Sequence, residues 1–328
     1  MRFGARWLTL LVPVSIAAAC GSRTGLTTPP PDASADAGVD APADAASDHE
    51  ASSDGPVDAP PDVPPDVFPD VWVDGLAPCD PEDLFVYLVT SEKDFYRYDP
   101  GTGEVKLIGT LNCPIDGNPF SMGVSRSGIA YVVYRPNMLG ATPPGQLFQV
   151  NVETAACKKT KFEPNQHDFG LFGMGFALDD DGLGETLYVA ESGKPGADSL
   201  GLASIDLGSY VLSPIGPFSQ NPGNRIELTS SDDGKLWGYI LDPAGNGGYV
   251  AHIDKHTAEV LEVTPVAAGN DHAFAFAYWG GDFYVFTSPS GGPTKITRYH
   301  PADSSTQVVG SIAKTVVGAG VSTCSVKK

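Results

Sequence analysis

The chain has 328 residues, with 20 basic and 40 acidic side chains, a net charge of −20, 38 glycines and 29 prolines. So acidic a protein repels phosphate backbones, which excludes nucleic acid as an expected partner. Abundant Gly and Pro without a long amphipathic run exclude a helical bundle and point to an all-β core.

In chain order, Arg2 and Arg6 precede an apolar stretch, Trp7 to Ala18, that ends in small residues at Ala17-Ala18-Ala19-Cys20-Gly21. It is too short to span a bilayer and reads as an export signal. The layout resembles a bacterial lipoprotein signal, cleaved before a cysteine that then carries lipid. Ala17 departs from that pattern, which usually has Leu three residues before the cysteine. The resemblance implies a signal peptide over 1–19, palmitate-type acylation of Cys20 and, with Gly21 following, sorting to the outer membrane, where the protein faces the periplasm or the exterior.

Residues 23–75 hold twelve acids and one base, with Asp at every fourth residue from Asp32 to Asp48 and again from Asp54 to Asp74. Proline and like-charge repulsion deny this stretch helix or sheet. It reads as a disordered tether over 20–75, reaching about 40 Å as a coil and about 150 Å if fully extended. The folded domain is expected over 76–328.

From residue 84 a two-part phrase recurs five times. An aromatic comes first (Phe85, Tyr131, Tyr188, Trp237, Tyr284). An alternating segment follows, ending at Asp99, Asn151, Asp206, Asp254 and His300. Such a period indicates radially repeated sheets. The aromatics are expected to pack between blades, and the segment-ending polar residues to hold turns. Inner strands are expected at Ser121–Val124, Gly173–Phe176, Ile226 onward and about Ala273, with Phe120-x-Met122-Gly123 echoing Phe172-x-Met174-Gly175. The first unit lacks an inner strand, and Val317–Val321 at the far end fits the vacancy. The reading is a five-bladed β-propeller of four-stranded blades, closed by the C-terminal strand. The ring brings Cys324 and Cys79 to that closure as a disulfide pair, which leaves Cys113 with Cys157.

The layout, with its Asp99-Pro100-Gly101-Thr102-Gly103 turn, resembles bacterial β-propeller proteins. That resemblance implies a ligand site where outer-to-inner connections converge on the axis. Candidates there are Asn118, His167, Asp168, Arg225, Glu227, Asp271 and His272. The expected role is a recognition or scaffolding module for a glycan, peptide or envelope protein. The alternative is a carbohydrate-active hydrolase, which needs two carboxylates. Glu227 alone lies near an inner strand, so Asp168 and Asp271 would have to act from loops. No cofactor or metal is expected. Asp179–Glu185 lacks the calcium-loop pattern, and His252 and His256 are too far apart on a strand to share zinc.

Overall fold

The computed structural model describes residues 85–138, 143–192, 198–220, 225–242, 247–269, 273–289 and 291–324. All belong to one compact unit, residues 62–328. The expected signal peptide and tether, with Cys20, Cys79, Asp271 and His272, lie outside the described residues.

Among the described residues, twenty strands form five antiparallel four-stranded sheets. In blade one, β1 (Val86–Thr90), β2 (Asp94–Asp99) and β3 (Glu104–Thr110) follow in order from the axis outward. Blade two runs β4 (Gly117–Val124), β5 (Ile129–Pro136), β6 (Gln146–Asn151) and β7 (Cys157–Lys159). Blade three runs β8 (Phe172–Leu178), β9 (Glu185–Glu191), β10 (Leu202–Ile205) and β11 (Leu212–Gly216). Blade four runs β12 (Ile226–Ser230), β13 (Leu236–Leu241), β14 (Gly248–Ile253) and β15 (Val260–Val266). Blade five runs β16 (Ala273–Trp279), β17 (Asp282–Ser288), β18 (Thr294–His300) and β19 (Ser305–Ile312).

β20 (Val316–Val321) supplies the inner strand that blade one lacks. It pairs antiparallel with β1, with Leu88 opposite Ala319 and Val86 opposite Val321. The two ends of the domain therefore meet in one sheet, and the ring is closed by main-chain hydrogen bonds.

The core consists of five apolar clusters, one at each junction between blades. The period of two along a strand explains how one strand serves two of them. Val86 and Leu88 face blade five, while Tyr87 and Val89 face blade two. Ala130, Val132 and Tyr134 face blade one, while Ile129, Tyr131 and Val133 face blade three. Second strands are thus buried on both faces, hence their nearly continuous apolar sequences. The recurrent aromatics pack across the junctions as expected. Tyr131 meets Phe176 at 5.7 Å, Trp237 meets Phe283 at 5.1 Å, and Tyr284 meets Tyr98 at 6.2 Å between ring centroids.

Polar side chains hold the turns that follow third strands. Asp99 accepts from Gly101 N at 2.8 Å, Asn151 from Glu153 N at 2.9 Å, Asp206 from Ser209 N at 2.7 Å and Asp254 from His256 N at 2.8 Å. The fifth repeat differs, because His300 Nδ1 bonds the Asp282 carboxylate instead. The acidic turn after β8 is held by its own carboxylates: Asp179 accepts from Thr186 Oγ1 at 2.7 Å and Asp181 from Leu183 N at 2.8 Å. Asp180 reaches blade four, where Lys255 lies at 2.8 Å and His256 at 2.9 Å.

The inner strand of blade two is longer than the sequence reading. β4 starts at Gly117 rather than Ser121, through an irregularity between Pro119 and Ser121. β7 ends at Lys159, because Thr160 turns its Oγ1 onto the Leu147 carbonyl at 2.7 Å and terminates the ladder.

The Cys113–Cys157 disulfide is formed, with Cα atoms 5.0 Å apart. β3 carries Cys113 there by running past the blade-two turn, where a Cβ on Gly109 would lie 3.0 Å from Ala155 Cβ. Cys324 is also disulfide-bonded; its expected partner, Cys79, lies outside the described residues. The buried Tyr134 Oη, like Thr297 Oγ1, has no hydrogen-bond partner among the described residues. Replacing it releases no satisfied group, so Tyr134→Phe is expected to leave stability within about 0.5 kcal/mol of the parent or slightly above it, by urea denaturation.

Candidate functional site

The inner strands start on one face of the ring, and their first residues surround a cavity of about 300 Å³ on the axis. Every blade contributes to its lining. Blade two supplies Asn118, Pro119, Phe120 and Arg135, and blade four supplies Arg225 and Glu227. Blade five adds Ala273, Phe274 and Gly291, blade one Ser91, Thr315 and Val317, and blade three Ser192.

The structure brings together three of the sequence candidates, Asn118, Arg225 and Glu227. His167 and Asp168 are not among the lining residues. They sit exposed on a short 3₁₀ turn, Gln166–Asp168, with φ of 49° and 65°. That turn serves the outer part of blade three: Gln166 donates to the Tyr210 carbonyl at 3.0 Å and accepts from Leu212 N at 2.9 Å. It leads the chain into Phe169 and Leu171, which are buried.

Glu227 forms the floor of the cavity and is 4% exposed. Its Oε2 accepts from Ser121 Oγ at 2.6 Å, and Ser121 Oγ in turn accepts from Met174 N at 3.1 Å. Side chains of β12 and β4 and the backbone of β8 are thereby joined across the axis. The approach depends on glycine, since a Cβ on Gly173 would lie 1.9 Å from the Ile226 carbonyl oxygen. Burial pushes the Glu227 carboxyl well above the ordinary carboxylate range, opposed by the hydrogen bonds from Ser121 and Met174 and by the charge of Arg225.

Two arginines flank this acid at the mouth. Arg225 lies over the Phe274 ring at 5.1 Å, and Arg135 over the Phe120 ring at 4.9 Å. Burial draws both guanidinium pKa values down; for Arg225, Glu227 opposes the shift and the charge of Arg135 adds to it. The two cations thus feel each other, and both remain charged at neutral pH. Asn118 is oriented beside them by donating Nδ2 to Asn137 Oδ1 at 3.3 Å.

Arg135, Phe120 and Phe274 were not among the sequence candidates. The hairpin register carries the missing signal: Asn118 lies directly opposite Arg135 across β4 and β5, so whatever one presents to the axis the other accompanies. A buried acid, two aromatic-backed cations and a rim of hydroxyls can hold a small polar ligand by charge and hydrogen bonds. Among the described residues Glu227 is the sole carboxylate lining the cavity.

Fold and site together define a five-bladed β-propeller with an axial cavity. Among solved structures the chain is similar to a GH43 β-1,3-galactosidase, at 15% identity and a TM-score of 0.44, over 68% of this chain and 48% of that one. The PQQ-bound aldose sugar dehydrogenase of Streptomyces coelicolor is similar at 11% identity and a TM-score of 0.38, over 68% and 77% of the two chains. TolB from Acinetobacter baumannii is similar at 15% and 0.39, over 76% and 57%. The chain spans about half the length of the galactosidase. Such identities concern the fold alone. No family model and no curated protein matches the chain.

Proposed function

We propose that this protein is a lipid-anchored recognition module of the bacterial cell envelope, which holds a polar ligand, such as a glycan or peptide end, in the axial cavity of its propeller. The observation that carries the reading is the convergence of Arg135, Arg225, Asn118 and the buried Glu227 on one cavity of about 300 Å³. That volume is at the lower end for small-molecule sites, and the few converging polar groups fit one. Recognition is favoured over hydrolysis because glycoside cleavage needs two facing carboxylates, and among the described residues Glu227 alone of the carboxylates lines the cavity. The rest of the reading comes from the sequence: cleavage before Cys20, acylation there and an acidic tether that lifts the ring off the outer membrane.

Two experiments test this. Glycan-array binding by the purified protein should return bound glycan intact and should be lost on Phe274→Ala; released sugar in place of bound glycan would favour the hydrolase. Cys20→Ser should abolish palmitate incorporation and move the protein from the membrane to the soluble envelope fraction, because the proposed acyl chains attach at that sulfur. Unchanged membrane fractionation would remove the anchor from the proposal.

A further inference from the structure

Among the described residues, the outermost strand of each blade has no strand beyond it, and four of these five edges are blunted in sequence. β3 carries Glu104 and Lys106, and it runs past the blade-two turn at Ala155. β7 is three residues long, two of them lysines. Pro214 lies within β11, and Glu262 and Pro265 lie within β15. Charge, proline and brevity are how sheets avoid edge-to-edge pairing. β19 has none of the three over its eight residues, and Val308 stands 58% exposed on it. A bulge divides β19 at Val309, as irregularities divide β3, β11 and β15, and leaves Ser305–Val308 as an uninterrupted run.

We infer that this edge is taken by Asp70–Asp74 of the same chain, which lie outside the described residues and would add a fifth strand to blade five. Val71-Trp72-Val73 is the only run of three large apolar residues between residues 23 and 75, and such residues suit a strand. Direction fits. β19 runs from the face opposite the cavity, where Ser305 pairs with His300, to the cavity face, where Thr294 pairs with Ile312. Phe85 enters blade one on the face opposite the cavity, since Val86 lies across from Val321 at the end of β20. A segment delivering the chain there must run away from the cavity face, antiparallel to β19. Reach fits as well. Residues 75–84 span about 35 Å when extended. β19 lies about 15 Å from the inner strand of its blade, and the blade-one sheet packs about 10 Å away. Asp70 and Asp74 would meet no carboxylate on β19, whereas at β15 they would meet Glu262. Alternation puts Trp72 on one face of the added strand and the two valines on the other, so either register sets an apolar side chain against Val308. The spacer then ends near residue 69 and leaves the ring on its cavity side. This docking is independent of what the cavity holds.

Peptide-resolved hydrogen exchange on the full-length protein and on its Val71→Pro/Val73→Pro variant tests the docking. Both substitutions fall outside the ring and remove the added strand's hydrogen-bond donors. Peptides covering 305–309 are expected to exchange about tenfold more slowly in the parent than in the variant, while those covering 260–264 of β15 exchange alike in both. Val308→Lys puts a charge on the edge and should speed exchange at 70–74 by a similar factor. Equal exchange at 305–309 in parent and proline variant would overturn the docking, whether fast, as for an edge left open, or slow, as for an edge covered by another partner. Fast exchange at 70–74 in the parent would overturn it too. Slowing at 305–309 that appears only as protein concentration rises, with a dimer in sedimentation, would assign the edge to a second copy instead.

Discussion

Gly173→Ala is expected to destabilise the ring by about 3 kcal/mol, the upper end of overpacking effects. The added Cβ would fall 1.9 Å from the Ile226 carbonyl oxygen and 3.0 Å from Glu227 Cα, both backbone atoms of the neighbouring inner strand. Neither can swing aside as a flexible side chain would, so β8 and β12 must separate. Separation also breaks the chain of hydrogen bonds from Met174 N through Ser121 to Glu227. One methyl group should therefore lower the denaturation midpoint and weaken ligand binding together. The same crowding recurs at the closure, where a Cβ on Gly320 would lie 2.9 Å from Val124 N. Gly208→Ala is the control: its Cβ would have only ordinary contact at 3.5 Å, and stability should stay within about 0.5 kcal/mol. Urea titration of the three proteins measures this, and equal midpoints for Gly173→Ala and the parent would refute the close-packed axis.

Stability should fall as pH rises from about 4.5 to 7, by about 2 kcal/mol through Glu185 alone. This carboxyl joins three blades on the face opposite the cavity. It accepts from Arg126 N of blade two at 2.7 Å and from Thr323 Oγ1, just after the closing strand, at 2.8 Å. Burial raises its pKa from 4.5 to about 7, against the pull of those two hydrogen bonds. In the unfolded chain the group loses its proton near 4.5, whereas the folded ring retains it until about 7. Folding therefore binds a proton in that window, and its stabilising contribution is complete below 4.5 and gone above 7. A shift of this size corresponds to at most about 3 kcal/mol, and partial solvent contact reduces it. Glu227, raised in the same direction, adds to the slope. Glu185→Gln preserves an acceptor for Arg126 N and offers an amide to Thr323. It should match the parent at pH 4 and exceed it at pH 8. Parallel stability curves for the two proteins across that range would contradict the assignment.

Architecture was legible because it rests on periodic burial. The aromatic positions recur since each second strand must fill two blade junctions, and the absent first inner strand could be matched to Val317–Val321 by its small-residue pattern. The site was less legible because its chemistry depends on register. Arg135 looked like the start of a loop; only its pairing opposite Asn118 puts it at the axis. Phe120 and Phe274 resembled core residues, and their use as platforms for guanidinium groups depends on partners distant in sequence. His167 and Asp168 occupy the same kind of connection as Arg225, but a 3₁₀ turn anchored by Gln166 holds them on the outside. Glu185 escaped notice because nothing local shows that the chain end will cover it.

Peptide-resolved hydrogen exchange on the full-length protein bears most directly on a ring closed by its last strand. Amides of β20 should be as protected as those of β4 and β8, because β20 is paired along β1 in the same way. Exchange of β20 within seconds, while β4 and β8 stay protected, would contradict it.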